Sequence, residues 1–299
     1  MKELDWIAVD WGTSHLRLWG MSGDQPLWQA QSADGMGGLD RAGFEPALLR
    51  ALGTRLQGPT LVIACGMVGA RQGWAEAGYA AVPCVPLAAG LTRAQTDDPR
   101  LTVHIAGGVK QNSPADVMRG EETQIAGFLA LNPGFDGIVC LPGSHSKWAE
   151  ISAGEIVSFR TFMTGEMFAA LCRHTVLRHS LDGEGWDAPS FAEAVSETLS
   201  RPERMASALF GIRAEALLND LGPAQARARL SGLLIGAELA AARPYWLGRD
   251  VAVIGSDAVA APYVTALGLQ GLSAIQTDND AMVLKGLARA RALVTETKH

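Results

Sequence analysis

Two short segments of the chain carry the same chemistry. Ile7-Ala8-Val9-Asp10-Trp11-Gly12-Thr13-Ser14-His15 is an apolar run, a glycine turn and small hydroxyl residues, followed by the alternating Leu16-Arg17-Leu18-Trp19. Ile138-Val139-Cys140-Leu141-Pro142-Gly143-Ser144-His145-Ser146-Lys147-Trp148 repeats the design. Each reads as a β-hairpin whose tip carries Gly followed by Thr or Ser. Such a tip suits phosphate oxygens, because glycine lets the backbone approach closely, successive N–H groups form an anion-cradling nest and the hydroxyls add neutral donors. One such hairpin alone is an ordinary tight turn; two at domain-scale separation point to a polyphosphate held by both. Neither is a GxxxxGK[ST] loop and neither is a GxSxG elbow.

Asp10 ends the first strand just before its glycine turn. A carboxylate there is placed to hold Mg²⁺ through water, since that ion dehydrates reluctantly. The competing reading is an Asx turn in which Asp10 bonds its own backbone. Val251-Ala252-Val253-Ile254-Gly255-Ser256-Asp257 is a third strand-end motif, where Gly255 and Ser256 let a flat ligand lie at a helix N-terminus.

The elements that position these residues are legible in outline. The runs 7–9, 61–64, 103–106, 138–141 and 251–254 are apolar without alternation and rich in β-branched residues, as strands covered on both faces are. Helical spacing recurs over 120–130, 165–176, 206–218, 227–242 and 280–294. Strands interleaved with helices give an α/β chain. The break at Pro133-Gly134 divides it into an N-terminal domain over 1–132 and a C-terminal domain over 133–299, with the last helix free to pack on the first. Gly232 and Gly236 put a smooth stripe on one helix, read as close helix packing at a hinge.

The chain has 299 residues, 48% hydrophobic and 19% charged, which suits two cores and excludes intrinsic disorder. Net charge is −6, and no Lys/Arg stripe exists to displace phosphate counterions, so nucleic acid is not an expected partner. The four cysteines, Cys65, Cys84, Cys140 and Cys172, form no CxxC pair. The N-terminus lacks a signal-peptide h-region, and no apolar stretch of about 18 residues is present. A cytoplasmic enzyme, not associated with membranes and compatible with homo-oligomerisation, is expected.

The motifs together resemble the superfamily of hexokinase, glycerol kinase, actin and the heat-shock chaperone ATPases. That resemblance implies an actin-like ATPase fold, two ribonuclease-H-like domains of mixed sheet and helices with ATP in the cleft between them. Asp10 to Ser14 is similar to its first phosphate motif, with Arg17 where glycerol-kinase-type sugar kinases carry an arginine. Gly143-Ser144-His145-Ser146-Lys147 is similar to the second, and Gly255-Ser256 to the adenosine motif. More closely, the whole chain resembles the 2-dehydro-3-deoxygalactonokinase family. The matching blocks are the DWGTS start, Gly66 to Tyr79, Arg119 to Gln124, Leu141 to Trp148, Phe159 to Glu166 and Leu230 to Glu238; the stretch 182–205 matches least. The resemblance implies ATP- and Mg²⁺-dependent phosphorylation of the 6-hydroxyl of 2-dehydro-3-deoxy-D-galactonate in galactonate breakdown. Another sugar or sugar acid as acceptor, or an exopolyphosphatase-like hydrolysis, are the alternatives.

A sugar-acid substrate carries a carboxylate, which a guanidinium binds in a planar, charge-assisted pair. Arg71 lies in the glycine-rich loop Gly66-Met67-Val68-Gly69-Ala70-Arg71-Gln72-Gly73-Trp74, with Gln72 for hydroxyls and Trp74 as an apolar face for sugar carbons. Arg119 and Arg160 are rival carboxylate binders, and Lys147 is a rival phosphate binder. In glycerol-kinase relatives the catalytic base is an Asp in a Gly-Asp-Gln-Gln stretch. Here that stretch reads Gly120-Glu121-Glu122-Thr123-Gln124, which makes Glu121 the candidate base, kept ionised by its helix N-terminus. Glu122 points about 100° around the helix, and Asp116 is the reserve.

Overall fold

The computed structural model describes residues 3–296. In chain order the elements are β1 (Trp6–Trp11), β2 (Leu16–Ser22), β3 (Gln25–Ser32), α1 (Phe44–Leu52), β4 (Thr60–Gly66), β5 (Tyr79–Ala81), β6 (Leu91–Arg93), β7 (Leu101–Ala106), β8 (Gly108–Asn112), β9 (Ala115–Met118) and α2 (Glu121–Leu131). They continue as β10 (Gly137–Leu141), β11 (Ser146–Ser152), β12 (Glu155–Phe162), α3 (Thr164–His174), α4 (Ala188–Ser200), α5 (Met205–Leu218), α6 (Pro223–Ala241) and α7 (Arg243–Trp246). The last are β13 (Val251–Ile254), α8 (Asp257–Gly268), β14 (Ile275–Thr277) and α9 (Asn279–Glu296).

Internal packing divides the chain into two units. The first holds the residues up to Asp136, the segment Ile151–Ser158 and the residues from Asn279 on; the second holds Gly137–Glu150 and Phe159–Asp278. Helix α9, the last in sequence, therefore groups with the first unit.

The first unit is built on the sheet order β3-β2-β1-β4-β7-β6. Strand β1 runs antiparallel to β2 and parallel to β4, and β4 runs parallel to β7. Its apolar run lacks alternation because both faces are covered. Ile7, Val9 and Trp11 pack into one core with Phe44 and Leu48 of α1, and Trp6 and Ala8 into another with Val283 and Leu287 of α9. Burying every side chain of such a strand is what selects continuous apolar character. Helices α2 and α9 cross at Gly127 and Gly286. A Cβ on either would meet the partner backbone at 1.9 Å, so glycine alone permits the approach. A small sheet, β5-β8-β9, completes the unit.

The second unit repeats the strand order as β12-β11-β10-β13-β14, with β10, β13 and β14 parallel. Ile138, Cys140, Val251 and Val253 share a core with Phe191 and Val195 of α4, Ile235 of α6 and Tyr263 of α8. Helix α4 accounts for most of the stretch 182–205. It seats on the Gly232 and Gly236 face of α6, so the small-residue stripe serves helix packing inside this unit.

Candidate active site

In the first unit the strand register places the chemistry. Asp10 stands opposite Arg17 on β2 and beside Cys65 on β4. The Arg17 guanidinium donates to the carboxylates of both Asp10 and Asp280, the latter in the first turn of α9. Asn279 Nδ2 also donates to Asp280 (3.2 Å), and Asn279 Oδ1 accepts from Gln124 Nε2 of α2 (3.0 Å). One network thus ties β1, β2, α2 and α9. Burial raises the Asp10 carboxyl above its ordinary range; Arg17 opposes this, while the charges of Asp280 and Glu121 add to it. The Cys65 thiol, 3.9 Å from Asp10 Oδ1, is pushed well up by burial and then by the Asp10 and Glu122 charges. It is a core thiol and not a nucleophile.

Two glycines bring the α2 carboxylates to this point. Gly66 has φ +91°, and a Cβ there would lie 2.8 Å from the Trp11 carbonyl oxygen and 3.4 Å from Asp10 Oδ1. Gly120 has φ +105°, and its Cβ would lie 3.2 Å from Gly66 Cα. Backbone thus stacks on backbone from β1 through Gly66 to Gly120, a route open to glycine. Glu121 follows, half-buried, its carboxylate accepting the Arg119 N–H at 3.0 Å. Glu122 is fully buried; it accepts the Gly120 N–H at 2.7 Å and the Thr123 hydroxyl at 3.0 Å. Burial first, and the Glu121 charge second, raise its pKa to about 8. Glu122 folds back onto the turn that presents Glu121.

The first hairpin tip is braced from one side. The carbonyls of Gly12 and Thr13 accept the N–H groups of Met36 and Gly37 at 3.0 and 2.9 Å, and the Gly12 N–H closes the turn on the His15 carbonyl. Thr13 and Ser14 are exposed. No acceptor engages their amides among the described residues, which leaves those amides available to an anion.

The second unit has its own constellation. Tip residues Ser144 and His145 are exposed, and the Ser144 carbonyl accepts the Glu166 N–H of α3 at 2.9 Å. His145 Nε2 lies 2.5 Å from Glu166 Oε2. Lys147 is buried, its ammonium donating to the His145 carbonyl at 2.8 Å, so it supports the tip from beneath. Below it, buried Glu238 of α6 accepts from Ser146 (3.1 Å), Trp148 Nε1 (2.8 Å) and Tyr263 (2.7 Å). Burial raises the Glu238 pKa against these bonds and one from Thr164. A cavity of about 420 Å³ opens beside the tip, lined by Ser144, Phe168, Trp186, Arg227, Val259 and Tyr263. Gly255 is buried at the end of β13, and Ser256 precedes α8, its carbonyl accepting the amides of Val259 and Ala260. Nucleotide-sized cavities with an apolar lining and few polar groups are the usual form of a cofactor site.

The expected carboxylate binders are not gathered in one place. Arg71 is 82% exposed, with a 3.6 Å contact to Glu76, and Gln72 beside it is exposed. Met67 is half-buried where the loop leaves β4. Trp74 turns inward: it is buried, stacks on Phe44 at 6.4 Å, meets Trp11 edge-on and donates to the Gln95 carbonyl, so it serves the core. Arg119 is buried over the Tyr79 ring and donates to the Ala77 carbonyl at 2.7 Å; its Nη1 has no partner. Arg160 is exposed on β12 and belongs to the second unit. Asp280 and Glu238 are the residues that sequence reasoning did not single out. Glu238 does lie at the end of the Leu230–Glu238 block, a buried acid in an apolar helix. For Asp280 nothing local signals a link to position 17.

Among the described residues no three His, Cys, Asp or Glu side chains form a metal cluster, and no helix is long and apolar enough to cross a membrane. Asp10, a single carboxylate engaged on one oxygen by Arg17, fits a cation held through water.

Two α/β units whose sheets run β3-β2-β1-β4-β7 and β12-β11-β10-β13-β14 in corresponding order, each with a glycine-tipped turn after its first strand, define an actin-like ATPase and sugar-kinase fold. The chain belongs to the 2-keto-3-deoxy-galactonokinase family, whose model matches residues 10–290. A relative from Rhizobium meliloti (strain 1021), "Probable 2-dehydro-3-deoxygalactonokinase DgoK1", is 41% identical over 96% of this chain and 97% of its own. The 2-dehydro-3-deoxygalactonokinase of Escherichia coli (strain K12) is 33% identical over 94% and 96%. A crystal structure of a 2-dehydro-3-deoxygalactonokinase-like protein from Sinorhizobium meliloti has a TM-score of 0.89 at 39% identity, covering 97% of this chain and 96% of that one.

Proposed function

We propose that the chain transfers the γ-phosphoryl group of ATP to the 6-hydroxyl of 2-dehydro-3-deoxy-D-galactonate, giving the 6-phosphate and ADP. Family membership supports the reaction. The observation that carries the residue assignment is the Gly66–Gly120 contact, which sets Glu121 within electrostatic reach of Asp10. Phosphoryl transfer needs positioning and charge stabilisation more than covalent chemistry. Glu121 accepts the proton of the attacking 6-hydroxyl as the oxygen–phosphorus bond forms. Arg17 holds Asp10 in place and opposes the burial that favours its protonated form. Asp10 is the residue that would hold Mg²⁺ through water. That ion, when bound, offsets charge on the phosphate oxygens.

The exposed amides and hydroxyls of Thr13 and Ser14, and the Ser144 hydroxyl with the amides of Ser144 and His145, act as phosphate donors. The cavity beside Ser144 takes the adenosine, with Gly255 and Ser256 leading into α8, whose Ala258 and Val259 line it. The substrate carboxylate falls to Arg71, exposed in the glycine-rich loop; Arg119 is committed to Ala77 and Tyr79. Arg71→Ala should raise KM for the sugar acid well above its effect on KM for ATP.

The test is ADP release measured by a coupled assay across 2-keto-3-deoxy sugar acids and neutral sugars. The 2-keto-3-deoxy-galactonate acceptor should give the highest kcat/KM. Phosphate release without any acceptor would identify a hydrolase instead.

A further inference from the structure

The second unit contains another cavity, of about 630 Å³, whose chemistry the kinase reading does not use. It is lined by Arg173 at the end of α3, by Arg178 and His179 on the short 3₁₀ turn that follows, and by Arg227 of α6. Leu181 gives it an apolar floor, and Asp182 is the one acid on its wall. None of the three arginines has a carboxylate within ion-pair distance among the described residues; Arg227 instead lies over the Phe168 ring at 5.7 Å. The Cys172 thiol on the same wall feels both Arg227 and Arg173, which pull its pKa down against a larger upward push from burial. The fields of Arg173 and Arg227 therefore both reach this wall.

Arg173 alone would suit the C-terminal end of a helix. Arg178 ends the short 3₁₀ turn in the same way, but Arg227 lies in the first half of α6 and has no such reason to be there. Three like charges brought to one cavity with a single acid, Asp182, carry an excess of positive charge there, and this occurs in a chain of net charge −6. An anion held among them would offset that charge. Guanidinium forks match phosphate and carboxylate oxygens in two-point, charge-assisted pairs.

We propose that Arg173, Arg178 and Arg227 form a second anion site, specific for a small phosphate-bearing molecule. Arg227 also lines the 420 Å³ cavity, so an occupant of the anion site shares a wall with that cavity. Coupling between the two occupants rests on the nucleotide reading of that cavity; the anion site itself does not.

Calorimetric titration of the full chain without nucleotide tests the site, using inorganic phosphate and 3-phosphoglycerate as probes. Binding is expected, weakened at high salt as for an exposed charge cluster. R173A/R178A should bind at least about tenfold more weakly, a change of about 1.4 kcal/mol. Its kcat without added anion should match wild type, which also reports that it is folded. Tighter binding of 3-phosphoglycerate than of phosphate would assign the site to phosphorylated hydroxy acids, the class of the proposed product; equal binding would assign it to phosphate alone. No binding up to about 10 mM, or equal binding by the double variant, would overturn the proposal. A shift in ADP affinity with 3-phosphoglycerate in wild type, absent in the double variant, would report the coupling separately.

Discussion

Arg17 binds the Asp10 carboxylate from the strand directly opposite, and the same guanidinium reaches Asp280 at the start of the last helix. Residues near the two ends of the sequence are thus joined at one charged point. Asp10→Asn should leave the fold intact, because Arg17 keeps Asp280, and should cut kcat by about a hundredfold or more, the scale of a lost electrostatic contact in phosphoryl transfer. Thermal unfolding and steady-state kinetics on the same preparation separate the two effects.

Arg17 also opposes the burial that raises the Asp10 pKa. Replacing it by Met removes that opposition, so Asp10 should protonate at higher pH. The acid limb of the kcat/KM profile should move upward in Arg17→Met. An unmoved limb would mean that Asp10 ionisation does not govern it.

Glu122 couples stability to pH. Its folded pKa of about 8 lies above the ordinary glutamate value, so the folded state holds a proton that the unfolded chain releases. The stabilisation is fully present below about pH 4.3 and is lost as pH rises toward 8. At about 1.4 kcal/mol per unit the total is several kcal/mol. Glu122→Gln, which cannot titrate, should flatten this slope in urea unfolding measured between those limits.

Glu238 holds three buried donors beneath the second hairpin tip. Glu238→Ala strands the Trp148 indole and leaves the Tyr263 and Ser146 hydroxyls only each other, 3.0 Å apart, and should cost on the order of 3 kcal/mol. Glu238→Gln retains one acceptor oxygen and should cost less. Denaturant midpoints of the two variants check the order.

The strands were readable because burial on both faces leaves an unmistakable apolar run. Both hairpin tips were readable because their glycines and hydroxyls are consecutive. What sequence could not supply was direction. Trp74 reads equally well as a sugar platform or a core ring, and only its stack on Phe44 decides for the core. Lys147 reads as a phosphate ligand, and nothing in the sequence shows that its ammonium also lies under the His145 carbonyl. Asp280 was invisible because its role depends on α9 returning to the first unit, brought close to α2 by Gly127 and Gly286. Helix α4 was missed because its apolar face, Phe191, Val195 and Leu199, begins just after a loop-rich segment.

Glu121 as the base that takes the acceptor proton is the central claim, and Glu121→Gln tests it most directly. Positioned proton transfer contributes about 10²–10⁴-fold, so kcat should fall by that factor while KM for the sugar acid and for ATP changes little. Asp116→Asn, altered at a carboxylate that bonds the Val117 amide on β9, should behave as wild type. Turnover by Glu121→Gln at the wild-type rate, or loss of turnover in Asp116→Asn instead, would contradict the account.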